Sequence, residues 1–268
     1  MPPSRSSWLA AFCVVGVVAS TRFLALAQGD TGASPPSATP SPSLERGLVG
    51  AWRGDDGGAD RTGRNPGQIT GTPTTVPAMV GMGLRFSGPD DGLMVPDSDS
   101  LKLTGSLTIS CWVFVEQYPT AEQGASMLVF RGDDRNGADP YHLEITPAGR
   151  VRFGVEAGPG LGAEVSAPIE AKRYVLVTVT LDAATGRLRL YENGKVVAET
   201  TTTFTAFGDL DPGANPGLGI GNHSSVPRSP FRYAFRGVLN EVLLYNRALG
   251  AAEVEGLFAD RTRVAAIR

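Results

Sequence analysis

Residues 235–258 read FRGVLNEVLLYNRALGAAEVEGLF, and the fold is decided here. The first half carries a strand pattern. By the two-residue period Val238, Val242 and Leu244 share one face, and Leu239, Leu243 and Tyr245 share the other with Glu241. Both faces are apolar enough to need cover, which is the character of a central strand in a two-sheet sandwich rather than of an edge. After a short break, residues 250–260 predict a small amphipathic helix. Its apolar face is Val254, Leu257 and Phe258, with Glu253 and Glu255 in its N-terminal half. No other segment predicts a helix.

Outward from this stretch the chain reads as strands. SLTISCWVFV, residues 106–115, alternates Leu107, Ile109, Cys111, Val113 and Val115 against Trp112 and Phe114, so it is buried on both faces. Residues 174–181 alternate in the same way. Residues 187–192 and 195–203 flank Asn193-Gly194, the dipeptide that best tolerates the positive φ angles of a type I′ hairpin turn. Shorter strands are expected over residues 44–52, 83–86, 92–95, 126–131, 141–145, 150–156, 163–166 and 218–221. Residues 54–71 and 226–233 are expected to be exposed loops. Short strands with one terminal helix define the fold class as all-β: a two-sheet antiparallel sandwich with one short C-terminal helix.

Four segments also resemble one family. In the last stretch Phe235, Gly237, Asn240, Glu241, Val242, Tyr245, Asn246, Arg247, Ala248 and Leu249 resemble the C-terminal signature of LamG-like jelly-roll domains of the concanavalin A-like lectin/glucanase superfamily. Asn240 stands where that family usually carries Asp. Trp52, Asp55, Asp60, Gly63, Asn65 and Gly67 resemble its opening strand and turn, with Pro66 near the place of a frequent His. Leu84, Phe86, Gly88, Asp90, Asp91, Val95, Pro96 and Asp97 match its strand, turn and Val-Pro-Asp step, and Leu188, Leu190, Tyr191, Asn193, Gly194 and Val197 match its hairpin. The resemblance implies a jelly roll. Across sugar binders, hydrolases and adhesion modules it does not fix one function.

Residues 1–27 read as a secretory signal: Arg5, an apolar run over residues 8–20, and Ala25-Leu26-Ala27 as a cleavage site before Gln28. Residues 28–43, rich in Pro, Ser and Thr, read as an extended spacer, leaving residues 44–268 as one jelly-roll domain outside the cytoplasm. Arg5 and Arg22 leave with the signal and no acid does, so the formal charge of −3 becomes −5. That balance, without any basic run, argues against a nucleic-acid surface. Cleavage also removes Cys13 and leaves Cys111 alone in an apolar strand, where it reads as a buried, unreactive thiol.

The catalytic pattern of jelly-roll glucanases is a Glu-x-Asp-x-x-Glu strand, whose spacing turns two acids onto one face. The chain has no such segment, and its strand acids Glu144, Glu156 and Glu192 stand apart in sequence. A zinc site or a serine triad would need histidine, and only His142 and His223 are present. Calcium is the one cofactor the loops could serve, through oxygen ligands. The resemblance implies a calcium position at Asp55 or Asp60 with Asn240. The loop RGDDRNGADP offers Asp133, Asp134, Asn136 and Asp139 at a spacing that fits no standard calcium loop and equally suits turn chemistry. Sugar binding without catalysis points to Tyr141, His142 and Arg152 on a sheet face, with Asn222, Phe231 and Tyr233 from loops. The leading expectation is therefore an exported, non-catalytic binding module for carbohydrate or a cell-surface protein. The alternatives are a divergent glycoside hydrolase and a purely structural or adhesive domain.

Overall fold

A computed structural model describes residues 42–135, 137, 139–229 and 232–259. The expected signal and nearly all of the spacer lie outside the described residues, as do Asn136, Phe231 and the end of the expected helix at Asp260. The spacer gives way two residues early, to a single helical turn α1 (Pro42–Glu45).

Two antiparallel sheets follow. The first runs β13 (Lys195–Thr201), β12 (Arg187–Glu192), β11 (Tyr174–Asp182), β6 (Leu107–Gln117), β15 (Arg236–Tyr245), β4 (Met82–Phe86), β3 (Thr74–Pro77), with β1 (Leu48–Trp52) beside the C-terminal part of β15. The second runs β10 (Leu161–Pro168), β9 (Arg150–Gly158), β8 (Tyr141–Ile145), β7 (Ser126–Gly132), β14 (Gly217–Ile220), β5 (Gly92–Pro96), β2 (Gln68–Thr70). This is the expected jelly-roll sandwich. β2 and β3 were not expected: they are edge strands of three and four residues, mostly exposed and without apolar alternation, so only pairing with β5 and β4 makes them strands.

The core between the sheets is built from one face of each strand. Leu107, Ile109, Cys111, Val113 and Val115 of β6 meet Tyr141, Leu143 and Ile145 of β8 and Val151, Phe153 and Val155 of β9. A second apolar cluster covers the outer face of the first sheet, where Trp112, Leu176, Leu243 and Tyr245 pack under Val254 and Leu257 of helix α2 (Ala251–Ala259). The Trp112 and Phe258 rings lie 5.8 Å apart. The helix is held by Thr108, whose hydroxyl donates to the Arg247 carbonyl at 2.8 Å and accepts from the Leu249 N–H at 3.0 Å. Arg247 also pairs with both Glu253 oxygens. The first sheet thus has both faces covered around β6, β11 and β15.

β15 is central, as its composition demands, yet its faces differ from simple alternation. Val238 does not share a face with Val242 and Leu244; Leu239 does. The cause is a bulge between Asn240 and Leu243 opposite Cys111, with Glu241 at φ +51°. One extra residue moves the downstream set onto the other face. Two contacts hold the bulge. Glu241 forms a buried ion pair with Arg53. Asn240 accepts from the Val80 N–H at 3.0 Å and donates to the carbonyls of Val80 at 2.8 Å and Met82 at 2.9 Å.

Candidate functional site

The outer face of the second sheet is where polar side chains gather, and the register derives the arrangement. Across β7, β8, β9 and β10 one row runs Phe130, His142, Gly154, Glu164, and the next runs Met127, Glu144, Arg152, Ser166. On the other side Glu156 of β9 lies opposite Gly162 of β10. Gly154 leaves a gap in the first row. The His142 ring leans into that gap, since a Cβ on Gly154 would fall 2.5 Å from its Nε2. Above the gap, the β9–β10 hairpin with Gly160 and Gly162 frames a cavity of about 230 Å³, whose polar walls are His142, Glu156 and Glu164.

Electrostatics at this face follow from burial. Glu144, almost wholly buried, receives the Arg152 guanidinium in a close ion pair, and Arg152 reaches Glu164 at 3.6 Å. Burial raises Glu144 and Arg152 opposes the rise. Asp139 packs over Gly132, where a Cβ would meet its Oδ1 at 2.8 Å. Its backbone N–H donates to the Glu156 carboxylate, and burial, then Glu156, Asp133 and Glu144, push Asp139 up to about 7. His142 is driven down to about 4 by burial and by Arg152, so it is neutral at physiological pH. Its Nδ1 and Glu156 Oε2 are both shielded from solvent and lack hydrogen-bond partners within the protein. The strand acids Glu144 and Glu156 therefore do not stand apart: with Asp139 and Glu164 they share one face.

Of the residues expected to bind a ligand, His142 and Arg152 lie on this face. Tyr141 does not. It points between the sheets, fully buried, and donates to the Leu101 carbonyl at 3.0 Å, because its neighbour His142 takes the outward direction. Asn222 is a buried clamp: its amide donates to the carbonyls of Pro89 and Asp91, and its oxygen accepts from the N–H groups of His223 and Tyr233. Tyr233 packs partly buried against Ala125, Met127 and Phe130 at the edge of the polar region. Phe231 lies outside the described residues.

Of the loop expected to be exposed over residues 226–233, Pro227, Arg228 and Arg232 are exposed while Val226 and Ser229 are buried, and the preceding residues Asn222 to Ser225 are buried against the second sheet. Gly219 allows the approach, since a Cβ there would sit 2.3 Å from the Asn222 carbonyl oxygen. The His223 ring stacks on Phe130 at 4.5 Å, and Ser225 donates to Asp134. His223 and Ser224 thus lie against β7, while the cavity lies over β8, β9 and β10.

The expected calcium residues are placed as follows. Asp60 accepts from the N–H groups of Ala51, Thr62, Arg64 and Asn65 and from the Thr62 hydroxyl, so its carboxylate organises the opening turn. Asp55 lies 3.9 Å from Arg53. The Asn240 oxygen is taken by Val80, as described above. Asp133 is paired with Arg135 and accepts from the Asp211 N–H, while Asp134 is engaged by Ser225 and Asn215. Asp139 turns away to Gly132 and Glu156, and Asn136 is outside the described residues. Among the described residues no group of three or more His, Cys, Asp or Glu is set to hold a metal ion. The Arg131-Gly132-Asp133 tripeptide is buried, with Arg131 bound to Asp97 at 3.0 Å.

Gly154, Glu156 and Glu164 escaped the sequence reading as site residues. The alternation Arg152, Gly154, Glu156 was available as a signal for one face. The register that brings Glu164 and His142 to it was not.

The described residues thus form a two-sheet antiparallel jelly roll with α2 over the middle of one outer face and an open, polar region on the other. The chain belongs to the concanavalin A-like lectin/glucanases superfamily: the Laminin_G_3 family model of that description matches residues 86–255. No curated protein matches by sequence. Among solved structures it is similar to the binding domain of Paraclostridial Mosquitocidal Protein 1, with 16% identity and a TM-score of 0.62 over 80% of this chain and 52% of that one. It is also similar to the binding domain of botulinum neurotoxin DC in complex with SialylT, at 13% identity and a TM-score of 0.60, covering 82% and 52%. A Trypanosoma rangeli sialidase mutant displaying trans-sialidase activity matches at 20% identity and a TM-score of 0.59, covering 81% and 33%. The chain thus spans about half the length of the toxin binding domains and a third of the sialidase, and at these identities the likeness is one of fold.

Proposed function

We propose that the protein is a lectin-like, non-catalytic carbohydrate-binding module that works outside the cytoplasm through the outer face of its second sheet. The observation that carries this reading is the cavity over Gly154. It is an open hollow with His142, Glu156 and Glu164 in its wall, on a fold whose opposite face is covered by α2 over β6, β11 and β15. Its volume is below the about 300–1,000 Å³ usual for drug-sized ligands, which suits a single sugar unit of a longer chain. A toxin binding domain of the same fold, whose structure is described as a complex with SialylT, supports the ligand class. The signal-like residues 1–27 support export.

The test is thermal unfolding and calorimetric titration of the purified protein against a panel of oligosaccharides. A ligand that binds only the folded state raises the midpoint. Saturating panels of glycans without a shift would refute the reading. One observation favours a second reading, a hydrolase: Asp139 and Glu156 are neighbouring carboxyls beside the cavity, as paired carboxyls are in glycosidases. Release of reducing ends from a bound glycan, abolished in both Asp139→Asn and Glu156→Gln, would establish it in place of the first.

A further inference from the structure

The charge around the cavity decides which sugars it admits. Glu156 and Glu164 line it, and Glu144 and Asp139 stand close behind. Two cations of β9 share this face: Arg152 is spanned between Glu144 and Glu164, and Arg150, farther from the cavity, is bonded to Ser166. In the wall the Glu156 and Glu164 carboxylates can only accept hydrogen bonds when ionised, and the neutral His142 ring carries one donor and one acceptor nitrogen. Gly160 and Gly162 contribute backbone and no bulk.

From this arrangement, and resting on the carbohydrate reading above, we propose that the cavity selects a hydroxyl- or amine-bearing sugar unit and rejects sugars that carry a carboxylate. A hydroxyl satisfies Glu156 by donating and His142 in either role. An ammonium gains a charge-assisted bond to Glu156, with Glu164 at the rim. A ligand carboxylate would face Glu156 at close range in a cavity whose lining holds no Lys or Arg, which is how like charges exclude a competitor. The selectivity runs opposite to that of a sialic acid site. The hollow also continues: Gly162 and Ala163 line both it and a wider depression bordered by Thr185, Thr201 and Phe204, giving a longer chain a way over the edge of β10.

The experiment is calorimetric titration of the purified protein with three probes of matched length: glucosamine oligomers, glucose oligomers and sialylated or galacturonate oligomers. The expected order is glucosamine, then glucose, with the carboxylated probes at least about tenfold weaker, since a hydrogen bond to a charged group is worth about 1.5–3 kcal/mol. The glucosamine preference should shrink as salt rises. Glu156→Gln, which keeps the shape of the side chain, should narrow the affinity ratio of glucosamine to carboxylated probes about tenfold. Glu164→Gln should narrow it less, because that carboxylate is 64% exposed. Carboxylated probes binding as tightly as the others, or a ratio untouched by both variants, would overturn the selectivity while leaving a carbohydrate module standing. No binding of any probe would overturn both.

Discussion

Asn240→Asp changes one atom, yet it should unsettle the centre of the fold. In the native chain the Asn240 amide nitrogen donates to two carbonyls, of Val80 at 2.8 Å and Met82 at 2.9 Å, and its oxygen accepts from the Val80 N–H. An ionised aspartate keeps the acceptor and places a second charged oxygen against two carbonyl oxygens. Two hydrogen bonds go, and two acceptors lose their donor. At about 1–3 kcal/mol for each buried group left unsatisfied, the cost at pH 7 is about 2–6 kcal/mol. For a domain of this size that lowers the unfolding midpoint by about 2–4 °C per kcal/mol, so a loss on the order of 10 °C is expected. Protonation restores one donor, so burial beside carbonyls raises the new carboxyl and the penalty grows as pH rises through its folded value. Unfolding followed by circular dichroism at pH 4.5 and pH 7.5 reads both effects. An Asn240→Asp variant as stable as the parent at pH 7.5, or one whose deficit does not change with pH, would refute this account of the bulge.

Gly237→Ala should lower stability by about 3 kcal/mol, because Gly237 lies at φ +155° and its Cβ would fall 2.1 Å from the Phe114 carbonyl oxygen of β6; denaturant titration checks it. Cys111 should resist iodoacetamide at pH 8 until the chain unfolds, since burial pushes its thiol up to about 12. Asp139→Asn should change the pH profile with a defined sign. The folded parent holds the Asp139 proton up to about pH 7, against a usual 3.8, so its ionisation costs stability that is fully felt above pH 7 and absent below pH 4. The variant should therefore be more stable than the parent at pH 8, by at most about 4 kcal/mol, and equal to it near pH 4; a gain that is the same at both values would contradict the burial of that carboxyl.

The parts of the fold that were legible are those where one chain segment carries its own pattern. β6 alternates cleanly, Asn193-Gly194 adopts the positive φ angles its chemistry permits, and α2 presents Val254 and Leu257 as its period requires. β15 was legible as a central strand but not in its faces, because the extra residue at Glu241 is stabilised by partners far away in sequence, Arg53 and the loop around Val80. The site suffers from the same limit. Alternation alone separates Tyr141 from His142 and aligns Arg152, Gly154 and Glu156. Only cross-strand register joins β8 to β9 and β10, turning separate acids into one face with a gap at Gly154. The resemblance at Asn240 pointed to a family position, and the structure gives the residue there a hydrogen-bonding duty that an ionised aspartate could not perform.

The central claim is that a glycan sits over β8, β9 and β10, and amide shift mapping by solution NMR tests it most directly. With a glucosamine or glucose oligomer titrated into the labelled protein, the account predicts perturbations concentrated at His142, Gly154, Glu156 and Gly162, with the α2 side of the molecule unchanged. Perturbations confined to α2 and the outer face of the first sheet, or to the turn around Asp60, would contradict it.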